Sequence, residues 1–198
     1  MSPKIPNKRP GNLFILSGPS GVGKTTLREA LQEKIPHLHF SVSWTTRTRR
    51  PGEKAGQDYR FVSREQFVKN READGFLEWA RVHEEYYGTP RVPIERWMEK
   101  GEDVLLDIDI QGARQVKKRI PQAIAIFILP PSKQELKKRL VHRETDSLPT
   151  ILIRLKNAEK ELQVVNHFDY AVINNDLLSS VAALETIMKA ARFRVINK

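Results

Sequence analysis

A chain of 198 residues with 39 % apolar content can bury one full core, which excludes wholesale disorder, and its lack of cysteine excludes disulfides, thiolate metal sites and a cysteine nucleophile. No apolar run approaches the ~18 residues of a membrane span, and Met1 to Pro10 lack the apolar stretch of a signal peptide, so a cytoplasmic protein is expected. The net charge of +10 asks for an anionic partner, whether nucleic acid, an anionic membrane or phosphorylated small molecules, and the placement of the basic residues decides among them.

In chain order, residues 1–10 read as a flexible Pro- and Lys-bearing leader carrying Lys4, Lys8 and Arg9. The run Leu13–Leu16 reads as a buried strand and Thr26–Leu31 as a helix. Between them, Gly18-Pro19-Ser20-Gly21-Val22-Gly23-Lys24-Thr25 has the spacing of a phosphate-binding loop in the strand-to-helix context that such a loop requires. Glycines let the backbone curl with its N–H groups turned toward a polyphosphate, and the helix N-terminus adds positive potential. Lys24 reaches the outer phosphates, and Thr25 offers its hydroxyl to magnesium. The expected ligand is a nucleoside triphosphate, held by Gly18 through Thr26.

Further along, strands are expected at Val104–Ile108, Ala123–Leu129 and Tyr170–Ile173, separated by segments of helical periodicity. Such alternation implies a parallel sheet and a three-layer α/β domain. Ser63 with Gln66, and Ser132 with Glu135, are capping-box patterns at the starts of Glu65–Asn70 and Gln134–Val141. Lys117-Lys118-Arg119 and Lys137-Lys138-Arg139 read as solvated helix faces. Two stretches interrupt the alternation. Residues 43–97 are too long for a plain loop and are expected to form an inserted lobe between core segments 11–42 and 98–198, while residues 142–150 form a short lid. His83, His142 and His167 lack metal-ligand spacing.

Arginines and aromatics gather in the insertion, as Ser43-Trp44-Thr45-Thr46-Arg47-Thr48-Arg49-Arg50-Pro51-Gly52-Glu53 and Gly56-Gln57-Asp58-Tyr59-Arg60-Phe61-Val62. These runs resemble the signature of guanylate kinases. Glu78-Trp79-Ala80, Tyr86-Tyr87-Gly88-Thr89 and Leu106-Asp107-Ile108-Asp109-Ile110-Gln111-Gly112 continue the match in order, from Leu13 to the C-terminus. The chemistry can be stated independently. A nucleoside monophosphate needs a dianion clamp, which the planar forks of Arg47 and Arg50 and the hydroxyls of Tyr59 and Tyr87 can supply. Guanine presents two adjacent donors that one carboxylate can accept together, and an O6 acceptor that a hydroxyl can satisfy; adenine lacks the donor pair.

By resemblance, Glu78 is the guanine-reading carboxylate and Ser43 the O6 partner, with Glu53, Thr89, Asp107 and Asp109 completing a GMP-binding set that also includes Arg47, Arg50, Tyr59 and Tyr87. The resemblance implies the P-loop NTPase fold and transfer of the γ-phosphoryl group of ATP to GMP, giving ADP and GDP with Mg²⁺ as cofactor. ATP and GMP are then the partners, and neither a membrane nor nucleic acid is expected. Lys24, Arg50, Arg143 and Arg154 are the candidate catalytic residues, with Thr25 on the metal. Asp107, at a strand end, stands either near magnesium or as a cap for the helix beginning near Gln111; the electrostatic role is preferred.

This chain departs from the family pattern in the lid, where Glu144 replaces a glycine and Leu148-Pro149 an acidic stretch, and at Asn175, which replaces an aspartate. Glu144 is expected to face solvent and Pro149 to start the helix bearing Arg154. Two alternatives remain. A non-catalytic guanylate-kinase-like interaction module is disfavoured by the intact phosphate loop, and a kinase of a phosphorylated sugar by the Glu78 and Ser43 pair.

Overall fold

Leu13 and Ile15 point to one side of a pleated strand and Phe14 and Leu16 to the other, and all four are buried, so the strand must be covered on both faces. A computed structural model describes residues 9–82, 84–141 and 148–195. In chain order the elements are β1 (Leu13–Ser17), α1 (Lys24–Lys34), β2 (Leu38–Phe40), β3 (Trp44–Thr45), β4 (Arg60–Phe61), α2 (Arg64–Glu72), β5 (Phe76–Val82), β6 (Glu85–Pro90) and α3 (Arg91–Glu99). They continue with β7 (Asp103–Asp107), α4 (Ile110–Arg119), β8 (Ile124–Leu129), α5 (Lys133–Val141), α6 (Leu148–Leu162), β9 (Tyr170–Ile173) and α7 (Leu177–Ala191).

Five strands form a parallel sheet in the order β2-β7-β1-β8-β9. On one face Phe14, Leu16, Leu105, Ile126 and Ile128 pack with Leu27 and Leu31 of α1 and Leu184 and Met188 of α7. On the other, Leu13, Ile15, Val104, Leu106 and Ala125 pack with Ile94 of α3 and Ala113 and Val116 of α4. This is the expected three-layer α/β architecture. Each of the buried Val, Leu, Ile, Phe and Met side chains contributes about 1.5–3 kcal/mol relative to exposure.

Residues 44–90 build a second, four-stranded sheet in the order β4-β3-β6-β5. β5 and β6 pair antiparallel with Glu78 opposite Thr89 and Ala80 opposite Tyr87, which puts these four side chains on one face. Trp79, Tyr86 and Gly88 take the other face, toward α2, where Phe67 stacks on Phe76 and Tyr86 at 4.5 and 5.3 Å. α2 begins at a complete capping box between Ser63 and Gln66, and at α5 the Glu135 N–H donates to Ser132 Oγ at 3.0 Å.

The sequence reading needs amendment at several points. β7 starts and ends one residue earlier than its apolar run suggests, because Asp103 is drawn into the ladder and its carboxylate accepts from Asn12 N–H at 2.8 Å. β2, β3 and β4 hold only two or three residues each, too few to show a period. Lys117 and Arg119 are not merely solvated: Lys117 Nζ donates to Ala123 O and Asp169, both at 2.9 Å, and Arg119 donates to Asp74 and to Phe76 O. Arg139 likewise turns inward, to the phosphate-binding loop, while Lys137 and Lys138 stay exposed. The leader up to residue 8, His83 and lid residues 142–147, with His142, Arg143 and Glu144, lie outside the described residues. α6 begins at Leu148, so Pro149 falls in its first turn, where a missing N–H costs nothing.

Candidate active site

The loop from Gly18 to Gly23 leaves the C-terminal end of the central strand β1, and Asp107 ends the neighbouring β7, paired in register with Leu16. The crevice at strand C-termini is where open α/β sheets bind ligands. α1 starts at Lys24 with no side-chain cap and no acidic residue in its first turn, so its leading N–H groups remain available to an anion. Gly23 has φ +96°, and a Cβ there would come within 2.6 Å of Asn174 Nδ2, so two constraints require glycine. Lys24 Nζ folds back to donate to Gly18 O at 2.8 Å and Pro19 O at 3.2 Å.

The cleft-facing side of the second sheet lies across from this loop. A cavity of about 380 Å³ is lined by Ser43, Tyr59, Glu78, Tyr87, Asp107 and Asp109, among others. A second cavity, of about 250 Å³, shares Ser43, Tyr59 and Asp107 and adds Thr25, Arg28, Arg47 and Arg50. The two are therefore lobes of one cleft, carboxylate-lined at one end and guanidinium-lined at the other. Glu78 is only 6 % exposed. Its carboxylate accepts from Thr89 Oγ1, and burial pushes its pKa up to about 7, with Asp109 adding to the rise and the Thr89 hydroxyl opposing it. Gly112 makes room for it: a Cβ there would meet Glu78 Oε2 at 2.8 Å.

Arg47 forks onto Glu53 through two parallel bonds, Nη1 to Oε2 at 2.7 Å and Nη2 to Oε1 at 2.5 Å, and Nη1 also donates to Thr48 O. Its guanidinium lies 5.0 Å from the Tyr59 ring centre. Three of its five N–H groups are thus committed, which fixes its plane and leaves donors over. The Arg47 fork holds Glu53 down at about 2, with the Arg50 N–H helping. The Arg50 side chain is exposed at the cavity wall. Tyr59 and Tyr87 meet edge to face at 6.0 Å, and burial, chiefly, raises the Tyr59 phenol.

The two aspartates separate cleanly. Asp109 caps α4, its Oδ1 accepting from Gly112 N–H at 2.8 Å, while Asp107 does not cap it. Burial raises the Asp107 carboxyl, opposed by the charges of Lys24 and Arg28. Arg154 is half-buried on α6.

Asn174, which by resemblance lies near the adenine end of the triphosphate, and three residues without a site role in the sequence reading, Arg139, Glu161 and Arg28, meet the phosphate loop or the cleft. Asn174 Nδ2 donates to Val22 O at 2.8 Å, and Arg139 reaches both Val22 O and Asn174 O. Glu161 accepts from the Ser20 N–H and is raised mainly by burial. Arg28 lines the guanidinium end of the cleft. For Arg28 and Glu161 the sequence signal was spacing: Arg28 lies one helical turn after Lys24, and Glu161 two turns after Arg154.

A phosphate-binding loop on a central parallel strand, facing an arginine- and carboxylate-lined cleft on a second sheet, defines the class of P-loop phosphotransferases. The guanylate kinase family model matches residues 10–191. The guanylate kinase of Aromatoleum aromaticum is 47 % identical over 189 residues, covering 96 % of this chain and 93 % of its own, and that of Helicobacter pylori is 50 % identical over 184 residues, covering 93 % and 89 %. The crystal structure of guanylate kinase from Anaplasma phagocytophilum superposes with a TM-score of 0.79 at 34 % identity, covering 95 % of this chain and 89 % of the other. This chain belongs to the guanylate kinase family.

Proposed function

We propose that the cleft binds GMP opposite ATP held on the loop, and that the protein transfers the γ-phosphoryl group of ATP to GMP, giving ADP and GDP. The observation that carries this reading is Glu78, a buried carboxylate on one cavity wall with a guanidinium and phenol cluster at the cavity's other end. Glu78 accepts guanine N1–H and the N2 amine, with Thr89 fixing its orientation and Ser43 meeting O6. Arg47, aimed by Glu53, Arg50, Tyr59 and Tyr87 hold the acceptor phosphate.

That phosphate is already an oxyanion, so no strong general base is needed; positioning and charge neutralisation carry the catalysis. Lys24 exchanges its loop carbonyls for phosphate oxygens, while Arg143 and Arg154 neutralise the transferring group. Thr25 and Asp107 line one cavity with oxygen donors suited to a hard cation, and Mg²⁺ bound with ATP supplies further neutralisation of phosphate charge. No helix among the described residues is long and apolar enough to cross a membrane, and the nucleotide substrates fit a cytoplasmic enzyme of purine nucleotide metabolism.

A coupled assay of ADP release with Mg·ATP and a panel of GMP, AMP, UMP and CMP tests the assignment. Turnover with GMP alone is expected, reduced about a hundredfold or more in a folded Lys24→Ala variant. Equal turnover with AMP, or wild-type kcat in that variant, would refute it.

A further inference from the structure

Arg28 is an arginine in an unusual position. Its side chain is 9 % exposed, on the buried face of α1 one turn beyond Lys24, yet it lines the cavity that holds Thr25, Arg47, Arg50 and Asp107. The guanidinium is permanently charged and carries five donors. Among the described residues it makes one hydrogen bond, Nη2 to Oε1 of the adjacent Glu29 at 2.8 Å, and Glu29 is itself 57 % exposed. Nε is buried with no partner, and the guanidinium carbon sits 4.4 Å from the Phe40 ring centre, which fixes its plane. The cavity's other acids leave donors of Arg28 over: Glu53 is taken by Arg47, Asp58 accepts from Lys54 N–H, and Asp107 feels the Arg28 charge but, among the described residues, accepts no hydrogen bond from it. A buried charge with donors to spare is costly unless an anion arrives.

We propose that Arg28 is a further binding residue for the acceptor phosphate, a third guanidinium delivered from the core side of the cleft while Arg47 and Arg50 come from the second sheet. The inference rests on the placement of the acceptor phosphate in this cavity, as proposed above. Arg28 then links the two sheets through the ligand, and the phosphate meets its full clamp only when the two walls approach.

The test is calorimetric binding of GMP and of guanosine, which lacks the phosphate, to wild type, Arg28→Met, Arg28→Lys and Arg50→Met, with each variant's thermal unfolding recorded. Arg28→Met should weaken GMP about tenfold to a hundredfold and leave guanosine unchanged, and Arg28→Lys should recover part of the loss. Equal weakening of both ligands would make Arg28 a structural residue, and unchanged GMP binding would remove it from the site; either overturns the inference. Arg50→Met separates the two levels: if it too leaves GMP binding intact, the placement of the phosphate has failed, whereas a GMP-selective loss there with none at Arg28 sinks only the present inference. Should Arg28→Met not fold, Arg28→Lys carries the same comparison.

Discussion

Glu78 shows how a single residue can be tuned by its surroundings at the expense of stability. Its folded pKa of about 7 lies above the ordinary glutamate value of 4.5, so between these values the folded state binds more protons than the unfolded one. The sign follows: Glu78's contribution to stability falls as pH rises from about 4.5 to about 7. Glu78→Gln, never charged, should therefore melt several degrees above wild type at pH 8 without ligand, with the gap closing near pH 5. The guanine reading proposed for Glu78 requires the ionised form, so on that proposal guanosine affinity, which carries no phosphate titration, should drop roughly tenfold from pH 8 to pH 6 in step with the ionised fraction. Calorimetry at the two pH values checks this. A pH-independent guanosine affinity, or a Glu78→Gln variant that keeps it, would show that the carboxylate does not read the base.

At the scale of elements, cap and strand end divide the labour of the two aspartates. Asp109→Ala removes the α4 cap and should cost about 1 kcal/mol, about 2–4 °C in Tm for a chain of this length, with kcat near wild type. Asp107→Asn should leave Tm unchanged or higher, since it removes a buried charge, and lower kcat at least tenfold. Thermal melts beside initial rates decide, and equal kcat losses would refute the division. The sequence could show that one acid ended a strand, because Val104-Leu105-Leu106 is an unbroken apolar run, but not which acid faced the helix, since that depends on whether the chain turns after Asp107 or Asp109. The same limit explains the other elements. β1 and β8 were legible because a strand buried on both faces reads as a continuous apolar run, while β9, an edge strand with only Val172 buried, was legible from its aromatic and β-branched composition. β3 and β4 were not, for their two residues carry no period. Arg139 read as an ordinary helix-face charge, and Arg28 as no more than a helix residue, because only tertiary packing turns them toward the loop and the cleft.

For the whole molecule, the cleft lies between the parallel sheet, proposed to carry the donor, and the second sheet, proposed to carry the acceptor, the two joined through residues that line both cavities. Productive transfer has to exclude water, so we expect the acceptor wall, residues 43–97, to rotate toward the loop when nucleotides bind. The phosphate clamp would then be completed by residues from both walls. Specificity and catalysis would share one motion. The most direct measurement is a crystal structure with GMP bound, set beside one without it. Guanine is expected with N1–H and the N2 amine on the Glu78 carboxylate, its phosphate within hydrogen-bond distance of Arg47, Arg50, Tyr59 and Tyr87, and residues 43–97 rotated as a body toward the phosphate loop. Guanine bound away from Glu78, or a phosphate touching none of those four residues, would contradict it.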